Sequence, residues 1–253
     1  MRKRFLTLTC LVLAAAFAVV DCPSSALSEE NDENTPVLLV YTPPLRGAPA
    51  GGGRIAAAVR GDQSDNPTVV VLAPNDVGAV SNPQPVLYWY ISGPTTCRLE
   101  FTLNDEIHQK TLVDAYLPCP AHTGIQAIKL SDFKAELSPG VVYKWFVTLE
   151  ADPSQPAKDV YSGGSIIYLK PPPDLEKSVQ AAGVTGAARI YAGQGFWYDA
   201  FYAARARGKK GEDEVLRQEQ ISLLKQVGYG AAAPGKGQSA LTVEKNLLQY
   251  MSK

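Results

Sequence analysis

The sequence predicts a mostly β protein: an antiparallel β-sandwich of about seven strands with a C-terminal helical extension, and therefore α+β overall. Over residues 68–169, short runs of β-branched and aromatic residues are separated by turn residues about every 8–15 positions, a spacing typical of a sandwich. Three consecutive prolines at residues 171–173 end this pattern, because proline cannot continue a strand ladder. The hydrophobic residues that follow recur with helical spacing.

The expected strands are approximately residues 68–73, 86–92, 98–104, 109–113, 124–130, 142–150 and 160–169. The third has the clearest alternation, because Leu99, Phe101 and Leu103 alternate with polar or charged residues and give the strand one buried and one exposed face. The second is apolar on both faces. One of these faces must pack on the sandwich core, and the other must contact a different part of the protein.

A tyrosine that follows a Pro-Gly turn indicates the type of sandwich. Tyr143 comes shortly after residues 139–140, at the start of the sixth expected strand. In immunoglobulin-like and fibronectin-type domains, such a tyrosine forms a corner in which its hydroxyl bonds back to the backbone of the turn. Trp89 is then expected to be the tryptophan of the sandwich core, with Trp145 as a further structural aromatic residue. These residues favour an immunoglobulin-like or fibronectin-type sandwich.

The chain is expected to contain five regions. Residues 1–26 have the pattern of a Sec-type signal peptide, with basic residues, an apolar run too short to span a bilayer, and small residues before a cleavage site after about Ala26. Residues 27–66 are expected to form a disordered lead-in and a Pro/Gly/Arg-rich loop without a regular element. The remaining regions are the β-sandwich at 67–170, a helical hairpin region at 171–230, and a flexible spacer with a terminal helix at 231–253.

The signal peptide predicts a periplasmic or secreted protein, in a compartment that oxidises thiols. Cys10 and Cys22 leave with the signal peptide, so Cys97 and Cys119 are expected to form a disulfide, with two reduced cysteines as the alternative. No later segment is apolar enough to span a membrane. The formal net charge is −1 with acidic and basic residues interspersed, which argues against a nucleic-acid partner.

The helical extension is expected to contain several short helices. Asp174 can cap a first helix that runs to about Gly183, and a second apolar segment covers residues 190–202. A third helix is expected to begin at the acidic residues 212–214, whose charges suit a helix N-terminus. A last amphipathic helix is expected near residues 241–251.

One part of this extension has a spacing similar to the turn of a tetratricopeptide helix pair. The residues concerned are Tyr191, Gly195, Trp197 and Ala200. A single such unit is not stable alone, since about three repeats are needed to bury its apolar faces. A helical hairpin that packs on the sandwich is therefore expected. The alternative is a protruding hairpin that docks a partner.

Few residues could support catalysis. The histidines after the signal peptide, His108 and His122, are each alone between strands and are expected to be exposed in loops. There is no Gly-x-Ser-x-Gly nucleophile motif, and zinc would need three or four ligands at characteristic spacing. We therefore predict no catalytic residues, no metal site and no cofactor, and a protein that is not an enzyme.

Two sets of residues are candidates for binding. Arg46, Arg54 and Arg60 lie in the Gly-rich segment and would form an anion or partner site if the loop folds back; otherwise they pair with carboxylates or backbone. Tyr88 and Tyr90, with Tyr116 and Tyr161, could form an exposed aromatic platform, and Trp197 could contribute a contact from the hairpin. Coverage of the platform by the helical extension is the alternative.

Several motifs together resemble a bacterial domain-of-unknown-function family, number 928. They are Tyr-Thr-Pro-Pro at 41–44 with the Gly-rich arginine segment, Leu-Tyr-Trp-Tyr at 87–90, Leu-x-Pro-Gly-x-x-Tyr-x-Trp at 137–145, and Gly-Phe-Trp-Tyr-Asp-Ala at 195–200. The resemblance covers about residues 37–229. It implies an exported bacterial domain and brings no assigned activity or functional residues.

These observations favour an exported, non-catalytic protein-binding or assembly module of the cell envelope, whose partner is another envelope protein. The alternative is a carbohydrate-binding or peptidoglycan-binding module that uses surface aromatic residues. A third possibility is an envelope hydrolase or its accessory protein.

Overall fold

The computed structural model describes residues 39–44, 53–59, 67–150, 154, 159–209, 211–232 and 238–253, with only the backbone described for residues 56–59 and 238–239. The predicted signal peptide and the acidic residues that follow it lie outside the described residues.

Within these ranges, nine strands form two sheets. The strands are β1 (Ile55–Val59), β2 (Val69–Leu72), β3 (Gly78–Val80), β4 (Val86–Ile91), β5 (Arg98–Asp105), β6 (Lys110–Leu117), β7 (Gly124–Lys129), β8 (Val142–Glu150) and β9 (Val160–Tyr168). The larger sheet has six strands in the order β1-β9-β8-β5-β6, and β3 also pairs with β9. The smaller sheet has the order β2-β4-β7. All pairings are antiparallel except the parallel pairing of β3 with β9.

The two sheets differ in how they are buried. Along β5 and β8 of the larger sheet, buried and partly exposed residues alternate, so one face contacts the core. In the smaller sheet, β2 is buried at every position and β4 is buried from Leu87 onwards. β2 and β4 are therefore covered on both faces, as the sequence of β4 predicts, whereas Ala127 and Lys129 of β7 are exposed.

The sheets approach each other closely where β9 meets β2. The Ser162 hydroxyl of β9 accepts a hydrogen bond from the Val71 N–H of β2 at 3.1 Å and donates one to the Ile55 carbonyl of β1 at 2.9 Å. Two residues along β9, a Cβ added to Gly164 would lie 2.6 Å from the Cβ of Ala73. The spacing between the sheets at this point therefore requires glycine.

Four α-helices follow the sheets in the described part of the chain. They are α1 (Leu175–Gly193), α2 (Trp197–Ala204), α3 (Glu212–Gln226) and α4 (Gln238–Met251), and a 3-10 turn (Leu130–Phe133) precedes β8. α1 is interrupted at Gly183, whose φ of 66° and ψ of −171° are not helical, close to the predicted end of the first helix. Asp174 occupies the N-cap position, but its side chain makes no capping hydrogen bond, so that predicted role is wrong.

α2 is fixed to the larger sheet by a buried tyrosine. The Tyr198 hydroxyl accepts a hydrogen bond from the Trp145 Nε1 of β8 at 3.0 Å and donates one to the Ser165 carbonyl of β9 at 3.1 Å. Next to it, the Trp197 ring stacks on that of Phe201, with the ring centroids 5.4 Å apart. The helical extension therefore packs on the sandwich.

The expectation of an α+β chain is confirmed, and each of the seven expected strands overlaps an observed one. β1 and β3 were not expected. β1 lies in the segment that was predicted to lack regular structure, and that prediction is wrong for Ile55–Val59, because the strand is held by its pairing with the distant β9. Among the described helices, none combines the length and apolar character needed to cross a membrane.

The close contact at Gly164 leads to a stability prediction. Gly164→Ala would place a methyl group against Ala73 and the Trp145 ring, so we expect it to lower the free energy of unfolding by about 1–3 kcal/mol. Gly193→Ala is the control, because nothing lies within 4 Å of a Cβ added there. Urea denaturation measures both variants. Equal stability of the two variants would show that the sheets are not this close.

Candidate functional site

Arg54 is buried and does not face a ligand. Its side chain is 1% exposed, and its Nη2 donates a hydrogen bond to the Glu244 Oε1 of α4 at 3.0 Å. The guanidinium lies 3.6 Å from the centroid of the Tyr229 ring, and Glu244 Oε2 accepts a hydrogen bond from the Gly230 N–H at 2.9 Å. The prediction that Arg54 is a binding residue is therefore wrong. Its pairing with a carboxylate is the alternative that the structure supports.

The other two arginines of this set, Arg46 and Arg60, lie outside the described residues. Their convergence with Arg54 stays a prediction. Because Arg54 is enclosed by Glu244 and Tyr229, any site formed by Arg46 and Arg60 would not include the Arg54 guanidinium.

Three of the aromatic candidates are enclosed by the helical extension, whereas Tyr116 is exposed. Tyr88, Tyr90 and Trp197 are all buried. The Tyr88 ring packs against Phe201 of α2, with centroids 5.5 Å apart, and the Tyr90 ring packs against Tyr250 of α4, with centroids 5.8 Å apart. These three residues are therefore not exposed binding residues. Tyr88 and Tyr90 lie on the outer face of β4, on which the helices pack, and Trp197 belongs to one of these helices.

The residues predicted to have structural roles lie in the core. Trp89 and Trp145 are buried. The Tyr143 hydroxyl accepts a hydrogen bond from the Ser138 N–H at 3.1 Å, which is the contact expected of a tyrosine corner. This bond holds the Pro-Gly turn against the start of β8.

Both histidines are exposed, and the Nδ1 of His108 lies 2.7 Å from the Asp105 Oδ2 in the β5–β6 turn. Backbone and side-chain hydrogen bonds from His108 lower the pKa of Asp105. Among the described residues, no group of three or more His, Cys, Asp or Glu side chains could hold a metal ion. This histidine-carboxylate pair is therefore a local contact that closes a turn.

The predicted disulfide is not present in the structure. Cys97 lies two residues before Leu99 and Cys119 two residues after Leu117. Because Leu99 and Leu117 pair across β5 and β6, both cysteines lie at the open end of this hairpin. They are not joined by a disulfide bond. The Cys119 thiol instead donates a hydrogen bond to the Cys97 carbonyl, with 2.9 Å between sulfur and oxygen.

A cleft that the sequence analysis did not predict lies between the β3–β4 connection, the linker after β9, and helices α1 and α2. Its volume is about 620 Å³, within the range of small-ligand sites. We call it the proline-tyrosine cleft. The residues that line it are Val80, Ser81, Asn82, Pro83, Gln84, Pro85, Val86, Pro171, Pro172, Pro173, Leu175, Glu176, Tyr191, Tyr198, Asp199 and Tyr202.

Prolines on both walls of this cleft accept backbone hydrogen bonds through their carbonyls. Pro83 and Pro85 cannot donate to a ladder, but their carbonyls accept hydrogen bonds from the Leu137 and Leu130 N–H groups at 2.9 and 3.1 Å. On the opposite wall, the Pro172 carbonyl accepts a hydrogen bond from the Leu175 N–H at 3.0 Å. Both walls are therefore anchored at proline carbonyls, and proline rings are left to line the cleft.

Asp199 is a carboxylate of the cleft wall that is held by a backbone N–H. It lies in the first turn of α2, and its Oδ2 accepts a hydrogen bond from the Ser81 N–H at 2.7 Å. Burial raises the pKa of Asp199 to about 6, although the bonds from Ser81 oppose this shift. The residue as a whole is half-buried and lines the cleft wall.

The tyrosines complete the surface. Tyr202 is 57% exposed at the rim, Tyr191 is half-buried, and Tyr198 is buried at the base. Burial, and then the negative charges of Asp199 and Glu176, raise the pKa of Tyr191. The cleft therefore offers aromatic rings, proline rings and two carboxylates, groups that suit binding.

The comparisons with known proteins identify the family. The model of the family described as Domain of Unknown Function (DUF928) matches residues 53–236. The chain belongs to the DUF928 family. No curated protein and no solved structure matches it. The DUF928 match includes Arg54 and every residue that lines the cleft, whereas Glu244, the partner of Arg54, lies beyond the matched residues.

Two sequence signals could have pointed to the cleft. The prolines fall in two groups, at 83–85 and 171–173, and the tyrosines at 191, 198 and 202 recur on the helices that follow. These groups are far apart in the chain, and the contact between Ser81 and Asp199 joins residues separated by 118 positions. Their convergence depends on the docking of α2.

The buried arginine pair leads to a second stability prediction. Glu244→Gln would leave Arg54 buried without a negative charge, so we expect a loss of about 3–5 kcal/mol in the free energy of unfolding. The double variant Arg54→Met/Glu244→Leu removes both charges and should recover part of this loss, because the Gly230 N–H then lacks its acceptor. Glu106→Gln removes an exposed partner of Lys144 and should cost less than about 1 kcal/mol. Urea denaturation measures all three, and equal losses in Glu244→Gln and Glu106→Gln would contradict the assignment.

The raised pKa of Asp199 predicts a pH dependence. Because the folded-state pKa of about 6 exceeds the ordinary value of 3.8, the folded state binds the proton more tightly. Asp199 therefore contributes to the free energy of unfolding at low pH. This contribution, up to about 3 kcal/mol, is lost as the pH rises from about 4 to about 6.

Asp199→Asn keeps an oxygen for the Ser81 N–H and has no charge to lose, so its unfolding free energy should change less over this pH range. Urea denaturation at a series of pH values compares it with the wild type and with Asp174→Asn, an exposed control. Parallel pH profiles of the wild type and Asp199→Asn would refute a raised pKa at this position.

Proposed function

We propose that this DUF928 protein is an exported, non-catalytic binding module of the cell envelope, and that the proline-tyrosine cleft holds an extended segment of a partner protein. The observation that carries this proposal is the lining of the cleft, where three tyrosines and five prolines form a concave surface. Grooves lined by aromatic residues are a recurring way to bind extended, proline-rich segments. The basic and apolar pattern of residues 1–26 supports export to the periplasm or beyond.

The order of the strands supports an immunoglobulin-like or fibronectin-type scaffold for this module. On this proposal, β2, β4 and β7 would correspond to strands A, B and E of one sheet, and β5, β8 and β9 to strands C, F and G of the other. The Tyr143–Ser138 hydrogen bond and the buried Trp89 agree with this assignment. Such scaffolds present loops and edges to partners while the core stays closed.

The lining of the cleft argues against catalysis by an activated serine or cysteine. The residues that line it include one serine, Ser81, and no histidine or cysteine that could activate a nucleophile. The contact made by Ser81 to Asp199 uses the backbone N–H, which orients the carboxylate. The lining residues therefore supply positioned acceptors and rings, which is what a recognition site requires.

A carbohydrate or peptidoglycan ligand is the second candidate. Tyr202 is exposed at the rim, and Asp199 and Glu176 provide carboxylate acceptors beside it. Aromatic rings beside hydrogen-bonding groups suit the alternating apolar and hydroxyl surfaces of sugars. The predicted platform of Tyr88 and Tyr90 does not carry this candidate, because both residues are buried.

Photo-crosslinking tests the proposal. With a photo-crosslinking amino acid at position 202, we expect a discrete crosslinked protein in the native envelope, and the same substitution at Tyr116 should not capture it. Tyr116 is the matched control because it is a tyrosine of similar exposure, 59% against 57%, on the edge strand β6. Crosslinks at both positions to the same proteins, or at neither, would contradict a partner-binding cleft.

The affinity for the captured protein then separates the two candidates. Tyr202→Ala should weaken binding of that protein about fivefold or more, and Tyr116→Ala should leave it unchanged. Binding of purified cell-wall fragments that Tyr202→Ala abolishes, without a protein crosslink, would favour the carbohydrate candidate.

A further inference from the structure

We propose that the proline-tyrosine cleft recognises an arginine side chain, carried on an extended segment of the partner, with Asp199 and Glu176 as its carboxylate partners. This inference rests on the proposed function, because it names the chemistry that the same cleft would select.

The first argument is the charge of the lining. Asp199 and Glu176 both line the cleft, and no lysine, arginine or histidine is among the lining residues. Two carboxylates in a concave site produce a negative potential that attracts cations and repels anionic ligands. An anionic partner segment is therefore disfavoured, and a neutral one would leave both charges without a counter-charge.

The second argument is a contrast with the other enclosed carboxylates. Glu244 contacts Arg54 at 3.0 Å, and Glu219 contacts Arg189 at 2.6 Å. Within the described part of the chain, no lysine, arginine or histidine forms a salt bridge with Asp199, which is held through the Ser81 N–H. Burial raises the pKa of Asp199, which indicates that its negative charge is poorly compensated within the chain. A cation from the ligand would supply this compensation.

The third argument concerns which cation fits. The exposed Tyr202 ring and the half-buried Tyr191 ring lie in the same cleft as the carboxylates. A guanidinium can stack on an aromatic ring and at the same time donate several hydrogen bonds to carboxylate oxygens, whereas an ammonium is a compact point charge. The volume of about 620 Å³ accommodates such a side chain with its flanking residues.

A pair of defined peptides tests the proposal. One carries a single arginine between prolines, and the other carries citrulline at the same position, which keeps the shape of the side chain and removes its charge. Isothermal titration calorimetry at neutral pH should give a Kd about tenfold or more lower for the arginine peptide, since charge-assisted hydrogen bonds are lost with citrulline. Equal affinities, or no binding of either peptide up to about 1 mM, would overturn the inference.

The carboxylates are tested by variants. Glu176→Gln at the exposed rim and Asp199→Asn should each reduce the preference for arginine over citrulline severalfold, while Glu106→Gln, an exposed carboxylate on the β5–β6 turn, should not. Circular dichroism checks that each variant is folded, and Glu176→Gln carries the test if Asp199→Asn is not. An unchanged preference in folded Glu176→Gln and Asp199→Asn would also overturn the inference.

The inference and the proposed function fail separately. A captured envelope protein whose binding is lost in Tyr202→Ala, combined with equal peptide affinities, would refute arginine recognition and leave the partner-binding cleft standing. A clear preference for arginine peptides, combined with no crosslink at position 202 in the envelope, would support the inference as a property of the cleft and refute the proposed cellular role.

Discussion

The docking of α2 on the sandwich is the constraint on which the rest of the structure depends. The Tyr198 hydroxyl is enclosed between the Trp145 ring nitrogen and the Ser165 carbonyl, so α2 cannot move away without leaving a buried donor and a buried acceptor unpaired. The same helix covers Tyr88 through Phe201 and brings Asp199 to the Ser81 N–H. One short helix therefore covers part of the outer face of the smaller sheet, beside α4, and forms a wall of the cleft.

Strands and turns could be predicted where neighbouring residues in the sequence carry a clear pattern. The alternation of Leu99, Phe101 and Leu103 was sufficient for β5, and the Pro-Gly turn before Tyr143 was sufficient for the corner. β1 and β3 were missed because neither has a strong pattern of its own. β1 is rich in alanine beside glycines, and β3 has three residues, so both depend on pairing with the distant β9. Non-local pairing of this kind overrides local propensity.

The candidate site was harder to predict than the fold for a physical reason. The sequence identifies residue types that suit binding, but burial decides which of them are available. Arg54 looked like a surface cation in a glycine-rich loop, and α4 supplies the carboxylate that encloses it. Tyr90 looked like part of a platform, and Tyr250 from the same helix covers it. In contrast, Asp199 follows two bulky aromatic residues at the start of a helix, a position that suggests a core role, yet it lines the cleft.

The cleft differs from the core in how its polar groups are satisfied, and this difference supports the proposed binding site. Among the described residues, the two buried glutamates meet opposite charges within the chain, since Glu244 contacts Arg54 and Glu219 contacts Arg189. Natural proteins depart from such consistency mainly at functional sites. The cleft is such a departure, because two carboxylates line it and no lysine, arginine or histidine is among its lining residues. Prolines whose carbonyls accept backbone hydrogen bonds form part of its walls. Because these walls are already ordered, binding would cost little free energy for ordering them. The affinity would then depend mainly on how well the ligand complements the charges and rings of the cleft.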